Sequence, residues 1–206
     1  GALASALEMI KTGSTFACDM YHFPESVVSA LNEAGLRGIV CGPQTQWPPK
    51  EGGDDGSVRR ELDSLLASNN PENKVNYGVA THAIYTCSED TLLSGKELAQ
   101  KHDAYLSIHV SETRKEVADC FSRTGMYPVE YLDSIDYFIP EKTILAHGSW
   151  VKKSEMRTMA ARNLVLAHCP SSNMKLACGG TLSFPPYRDA GVDVRIGTDG
   201  AASSGH

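Results

Sequence analysis

Short runs of β-branched and aliphatic residues alternate along the chain with amphipathic stretches of about ten to fifteen residues, the rhythm of βαβ units around a parallel sheet. A first helix is predicted over Ala2–Lys11, stopping at Thr12-Gly13, where glycine suits a C-cap. A strand follows over Ser14–Tyr21, then a helix opened by Pro24 and closed by Gly35. The strand Arg37–Cys41 leads into a loop, Gly42–Gly56, rich in Pro, Gly and Asp and long enough to imply a functional or mobile connection. Helix Ser57–Ala67 and strand Val75–Ala80 complete the first half. The second half predicts helix Ser88–Lys101, strand Tyr105–His109, helical stretches through Leu132, strand Thr143–His147, helix Ser154–Arg162 and strand Leu164–His168. A loop carrying Pro170, Gly179, Gly180, Pro185 and Pro186 then precedes the last strand, Val192–Gly197. No composition break interrupts these seven strands, so one domain over 1–206 is expected, repeating in its βα rhythm and not in its letters.

Composition narrows the classes. The 206 residues can bury a sizeable core but fall short of the roughly 250 typical of an eight-fold α/β barrel. A formal charge of -6 argues against nucleic acid or an anionic membrane as partner, since both select for basic patches. No apolar run approaches the roughly 20 residues that span a bilayer, and the start carries no signal-peptide pattern. A cytoplasmic protein acting on a small molecule is expected. The chain opens at Gly1-Ala2-Leu3, already inside a helical pattern, and ends at Ser203-Ser204-Gly205-His206, directly after a candidate catalytic turn, so both ends are expected to be cut. The six cysteines form no C-x-x-C pair and sit in or beside apolar runs, which predicts buried free thiols in a reducing compartment.

In a parallel α/β barrel, polar residues at the C-terminal ends of the strands line the active site. Strands here end at His82, His109, His147, His168 and Asp199, with Glu112 three residues beyond His109. A single histidine closing a strand is usually a satisfied core or loop residue. Four of seven histidines plus an aspartate in register at one rim point instead to a metal site. Imidazole and carboxylate suit a borderline ion such as zinc, with no thiolate set in competition. Water acidified by such an ion is a nucleophile near neutral pH, and a neighbouring carboxylic acid can protonate a departing nitrogen.

Four segments carry a resemblance: His109-Val-Ser-Glu112-Thr, Leu145-Ala-His147-Gly, His168-Cys-Pro-Ser-Ser-Asn173-Met-Lys-Leu176 and Gly197-Thr-Asp199-Gly-Ala-Ala-Ser203. In this order they resemble the amidohydrolase superfamily, and within it the branch of S-adenosylhomocysteine/methylthioadenosine deaminases, cytosine and guanine deaminases and triazine chlorohydrolases. Pro128-Val-Glu-Tyr-Leu-Asp133 and Asp19-Met-Tyr21 resemble the nucleoside-deaminase members. The resemblance implies a TIM-type (β/α)8 metal-dependent hydrolase barrel lacking its first strand in this chain. It implies His109 and Asp199 as ligands of one divalent metal, zinc or iron. Glu112 is the implied proton shuttle, Asp199 the base, and His147 the partner of the activated water or tetrahedral oxygen. His82 is the implied substrate contact, with Ser172 and Asn173 shaping the pocket floor and His168 in a supporting or structural role.

The implied activity is hydrolytic deamination of a purine nucleoside or related N-heterocycle of the adenosine, methylthioadenosine or S-adenosylhomocysteine type, with metal-activated water as nucleophile. Alternatives are a cytosine or guanine deaminase, a chlorohydrolase of the same superfamily, or a non-catalytic barrel module. The family's His-x-His pair at the end of the first strand does not occur here, and where binuclear members carry a carbamylated lysine this chain reads Ala80-Thr81-His82. One metal, and an isolated chain that is inactive for want of two ligands, are the expectations. Open sheet edges predict that the isolated chain dimerises, aggregates or depends on the rest of the polypeptide for solubility, and a homo-oligomer is the expected assembly. His22, His102, the Lys152-Lys153 pair and the Gly179-Gly180 pair are read as loop or surface features without catalytic roles, while Trp47 either covers a ligand or anchors its own loop.

Overall fold

The computed structural model describes residues 1–44, 56–180, 182–200 and 203. Its strands follow chain order, β1 to β7, in one sheet. Internal contacts group the chain into two compact units, Gly1–Thr81 with Ser94–Ser107, and His82–Leu93 with Ile108–His206.

The first unit begins with α1 (Ala2–Lys11), β1 (Phe16–Met20), α2 (Pro24–Ala34) and β2 (Arg37–Pro43). Pro24 sits in the first turn of α2, where its missing N–H has no helical partner to lose, and Gly35 ends the helix at φ +76°. Helix α3 (Ser57–Leu66) precedes β3 (Val75–Ala83). The strands β1, β2 and β3 pair parallel, with Ala17 opposite Gly38 and Cys41 opposite Gly78. Ala6, Ala17, Leu31, Leu36, Val40 and Val75 form the core, with Met9, Val27, Val28 and Ala34 packed against it. Gly78 is fixed by close approach. A Cβ there would lie 2.6 Å from the Cys41 sulfur and 3.0 Å from the Tyr105 carbonyl oxygen.

Helix α4 (Glu89–Lys101) and β4 (Leu106–Val110) each contribute residues to both units. In the second unit, α5 (Arg114–Thr124), α6 (Pro128–Ser134), β5 (Thr143–His147), α7 (Lys153–Ala161) and β6 (Val165–His168) follow. Then come α8 (Pro170–Lys175), α9 (Phe184–Ala190) and β7 (Asp193–Ile196). Strands β5, β6 and β7 pair parallel. Ile108, Val110, Leu132, Leu145, Met159 and Leu166 are fully buried. Two acids tie the starts of α6 and α7, where helical N–H groups lack partners. The fully buried Glu155 accepts from the N–H groups of Lys152 at 2.7 Å and Val129 at 2.8 Å. Glu130 accepts from the Tyr127 N–H at 3.2 Å and the Ser154 hydroxyl at 2.8 Å.

Several boundaries differ from expectation. The β3 strand runs on to Ala83, so His82 lies within it and not just past its end. The segment expected to be a plain loop after β6 contains α8 and α9. Its prolines stand in the first turns of both helices, where they are tolerated, and so do not act as breakers. Of the six cysteines expected in the core, Cys41, Cys120, Cys169 and Cys178 are buried, whereas Cys18 is exposed and Cys87 partly so. Cys18 stands on β1, which has a strand neighbour on one side only among the described residues. Residues 45–55, most of the expected long loop including Trp47, lie outside the described residues. No helix among the described residues is long and apolar enough to cross a membrane.

Candidate active site

The residues assigned site roles from sequence (His82, His109, Glu112, His147, Ser172, Asn173 and Asp199) belong to the second unit. Three imidazoles follow one another: His82 and His109 have ring centroids 4.9 Å apart, and His109 stacks on His147 at 5.3 Å with 23° between the rings. Backbone groups decide which nitrogen of each ring carries a proton. A carbonyl only accepts, so His109, whose Nδ1 lies 2.8 Å from the His82 carbonyl oxygen, donates from Nδ1 and carries its lone pair on Nε2. His168 donates likewise from Nδ1 to the His147 carbonyl at 2.8 Å, and its Nε2 accepts the Leu182 N–H at 3.4 Å. Nδ1 of His82 is 2.8 Å from the Thr86 hydroxyl, whose own proton goes to the Ala83 carbonyl, so here too Nδ1 is the donor.

His147 is the exception. Its Nδ1 faces the Asn173 amide nitrogen at 3.4 Å, which leaves the ring proton on Nε2. That nitrogen lies 3.9 Å from a carboxylate oxygen of Glu112. The ring is buried at a turn where His147 (φ +74°) and Gly148 (φ +60°) are both left-handed. A Cβ on Gly148 would also meet the Leu166 side chain at 2.6 Å. The turn is tied down by the Gly148 N–H donating to the Val110 carbonyl at 3.0 Å, and by the buried Tyr187 hydroxyl donating to the Gly148 carbonyl at 2.7 Å.

Asp199, expected at a strand end, lies three residues past the end of β7, at φ +61°. Its carboxylate accepts from the Ser172 hydroxyl at 2.5 Å, the Gly200 N–H at 2.8 Å and the Ser203 hydroxyl at 2.9 Å. Burial alone would raise its pKa. The three hydrogen bonds, with help from His147, outweigh burial and hold the group below the usual aspartate value. His109 is displaced the other way. Burial drives it down to about 4, opposed by the His82 carbonyl and by the charge of Asp199. At neutral pH His109 is therefore an uncharged imidazole and Asp199 a carboxylate.

That donor set fits a borderline dication: a neutral histidine with its Nδ1 proton fixed by a carbonyl, and an ionised, hydrogen-bonded aspartate. Among the described residues, however, no group of three or more His, Cys, Asp or Glu side chains lies close enough to hold an ion. Ser172 and Asn173, expected at the pocket floor, are buried, and their hydrogen bonds go to Asp199 and His147. His168 has both ring nitrogens engaged by the backbone, in keeping with a structural role.

Sequence reasoning passed over three groups. The Cys178 thiol donates to a Glu112 oxygen at 3.5 Å, and burial together with the charge of Glu112 keeps that thiol protonated. Trp150 donates its indole N–H to the Cys178 carbonyl at 2.9 Å, while Gly179 and Gly180 lie against its ring and the Arg114 guanidinium lies 4.2 Å from the ring centre. Glu116 accepts from the backbone at Ser111 and Glu112. A signal for Glu116 existed in Thr113-x-x-Glu116, a capping-box spacing.

The amidohydrolase family model matches residues 1–206. The 5'-deoxyadenosine deaminase of Methanosphaera stadtmanae is 40% identical over 209 residues, covering 99% of this chain and 48% of that protein. The 5-methylthioadenosine/S-adenosylhomocysteine deaminase of Thermodesulfovibrio yellowstonii is 36% identical over 204 residues, covering 99% of this chain and 47% of that protein. Among solved structures, an adenosine deaminase from Xanthomonas campestris with bound zinc superposes with a TM-score of 0.87 at 28% identity, over 98% of this chain and 45% of that one. The chain spans about half the length of the curated relatives it matches. The fold is that of a TIM-type amidohydrolase barrel, present here in part. With a family match that leaves none of its residues outside, the chain belongs to the amidohydrolase family.

Proposed function

We propose that the protein is a metal-dependent hydrolase that deaminates a purine nucleoside of the adenosine, methylthioadenosine or S-adenosylhomocysteine type. The observation that carries this reading is the meeting of Glu112, His109 and His147, with Glu112 and His147 3.9 Å apart. That separation is too long for a direct hydrogen bond, so each keeps a polar atom for a third group. The similarity to deaminases of 5'-deoxyadenosine and methylthioadenosine supports the substrate class.

His109, through Nε2, and Asp199 would hold one divalent ion, with zinc favoured over iron because the Xanthomonas campestris structure carries zinc. Such an ion supplies acidification of water and stabilisation of developing negative charge. The Asp199 carboxylate takes the proton released by the attacking water. Glu112 carries a proton to the ring nitrogen and then to the departing amine, which leaves as ammonia. The Nε2–H of His147 donates to the oxygen that becomes negative at the attacked carbon. His82 contacts the substrate with Nε2 as acceptor. Ser172 and Asn173 act one step back, by orienting Asp199 and His147. We take residues 1–206 as part of one catalytic domain, whose partners are a small-molecule substrate and further copies of itself.

The test is ammonia release by the full-length, zinc-loaded protein from 5'-deoxyadenosine, methylthioadenosine, S-adenosylhomocysteine, cytosine, guanine and a halogenated triazine. The adenosine-type compounds are expected to turn over fastest. Preference for a base or a triazine would move the protein to another branch, and no turnover of any compound would remove the reading.

A further inference from the structure

Between β4 and α5 the backbone makes a tight passage that delivers Glu112. Ser111 adopts a left-handed conformation at φ +50° although it is not glycine, and it is fully buried. Conformations of this kind persist only where surrounding bonds over-determine them. Four bonds do so here. The carbonyls of Val110 and Ser111 accept from the N–H groups of Gly148 and Trp150, each at 3.0 Å. The N–H groups of Ser111 and Glu112 are both taken by one side chain, Glu116, at 2.7 and 2.8 Å.

Glu116 occupies the third position of α5, whose N-cap is Thr113, and its own N–H is capped by the Thr113 hydroxyl at 3.1 Å. In an ordinary capping box the acid would turn back to the N–H of the cap residue itself. Glu116 instead reaches one and two residues further upstream, past the cap, and is only 4% exposed there. One carboxylate oxygen serves each amide. The side chain is therefore a two-pronged acceptor matched to two consecutive N–H groups, the second belonging to Glu112.

We infer that Glu116 is a positioning residue for deamination, clamping the Ser111–Glu112 backbone so that the Glu112 carboxyl is held at the distances it keeps from His147 and Cys178. It touches no reacting atom and acts through Glu112. The inference deepens the deaminase reading and rests on it for its kinetic consequence, but the clamp itself is a property of the backbone that can be read without turnover.

The experiment compares wild type, Glu116→Gln, Glu116→Ala, Glu112→Gln and the double variant Glu112→Gln/Glu116→Gln in the full-length protein. Backbone amide exchange at Ser111 and Glu112 reads the clamp, and kinetics with methylthioadenosine, well below each variant's melting temperature, read its use. Gln retains one acceptor oxygen, so Glu116→Gln should speed exchange at one of the two amides and Ala at both. Turnover should fall about 10- to 100-fold for Ala, the scale on which groups supporting an active site act, and less for Gln, with KM within about twofold. Adding Glu116→Gln to Glu112→Gln should cost nothing more, because the two act as one unit. Unchanged exchange at Ser111 and Glu112 in both variants would overturn the clamp. So would a kcat equal to wild type, or a further independent loss in the double variant. If wild type deaminates no substrate, the functional reading falls by itself and the exchange data still decide the clamp. Should Glu116→Ala fail to fold, Glu116→Gln carries both measurements.

Discussion

His109 donates its Nδ1 proton to the backbone carbonyl of His82 across 2.8 Å, and this one bond decides which face of the imidazole can serve a metal. With Nδ1 committed, Nε2 carries the lone pair, and burial keeps the ring neutral by holding its pKa at about 4. His109→Ala in the full-length protein should therefore abolish bound zinc, as measured by elemental analysis after dialysis. The 206-residue chain, offering His109 and Asp199 as its donors, should hold zinc more weakly than the full-length protein in competition with a chromophoric chelator, since catalytic sites commonly use three or more protein ligands. Stoichiometric zinc held equally tightly by the short chain would refute the ligand assignment.

Replacing Glu112 with Gln keeps shape and removes the carboxyl that would pass a proton. Deamination by the full-length protein should drop about 10²- to 10⁴-fold, the usual contribution of a general acid-base group, while zinc content stays at the wild-type level. Turnover at the wild-type rate would take Glu112 out of the chemistry.

Asn173 sets the tautomer of His147 by presenting an amide N–H to Nδ1. Asn173→Leu removes that donor at a position only 1% exposed and should let the proton move to Nδ1. Nitrogen-15 spectra resolve the two tautomers, and kcat should fall about 10- to 100-fold, as it does when groups orienting an active-site ligand are lost. An unaltered Nε2–H signature in the variant would dismiss the assignment.

Glu116 and Glu155 share a pH consequence. Burial raises each from the ordinary 4.5 to about 7 in the folded protein, against the pull of the backbone N–H groups they accept from. The folded state thus binds protons more tightly than the unfolded one. The stabilisation is complete below about pH 4.5 and is lost as pH rises through 7, on the order of 3 kcal/mol per group at most. The melting temperature should decline across that window, and Glu155→Gln should flatten the decline. A melting temperature that climbs between pH 5 and 7.5 with the same slope in wild type and variant would contradict this.

Local signals served the fold well wherever a terminator was unambiguous. Ala2–Lys11 and Thr143–His147 are bounded as the pattern predicts, and Pro24 and Gly35 bracket α2 as expected. The prolines around 170 and 185 misled because proline breaks a helix interior but is welcome in its first turn, and the letters alone do not say which applies. At the site, the pattern of strand ends drew His109, Glu112 and His147 out of the sequence, and the structure brings these three side chains near one another. What stayed hidden were residues whose role lies in a backbone contact. Glu116 shows in the sequence only as a capping-box spacing until the Ser111 turn is seen, and Cys178 reads as core. That Ser172 and Asn173, expected at the pocket floor, turn their side chains to Asp199 and His147 is not legible in sequence, which gives no hint of side-chain direction.

The indole of Trp150 has an optical consequence. Its ring has a guanidinium 4.2 Å from its centre and the two glycines after Cys178 against it, with its N–H bound to a carbonyl of the same segment. A tryptophan in such surroundings has an emission sensitive to small shifts of charge and of the hydrogen bond. The chain's other tryptophan is Trp47, so a Trp47→Phe background would leave the Trp150 signal alone among these 206 residues. Occupancy beside Glu112 would then be followed directly in the steady-state spectrum, with no label attached, because the segment that carries the Cys178 thiol is also the one that the fluorophore grips.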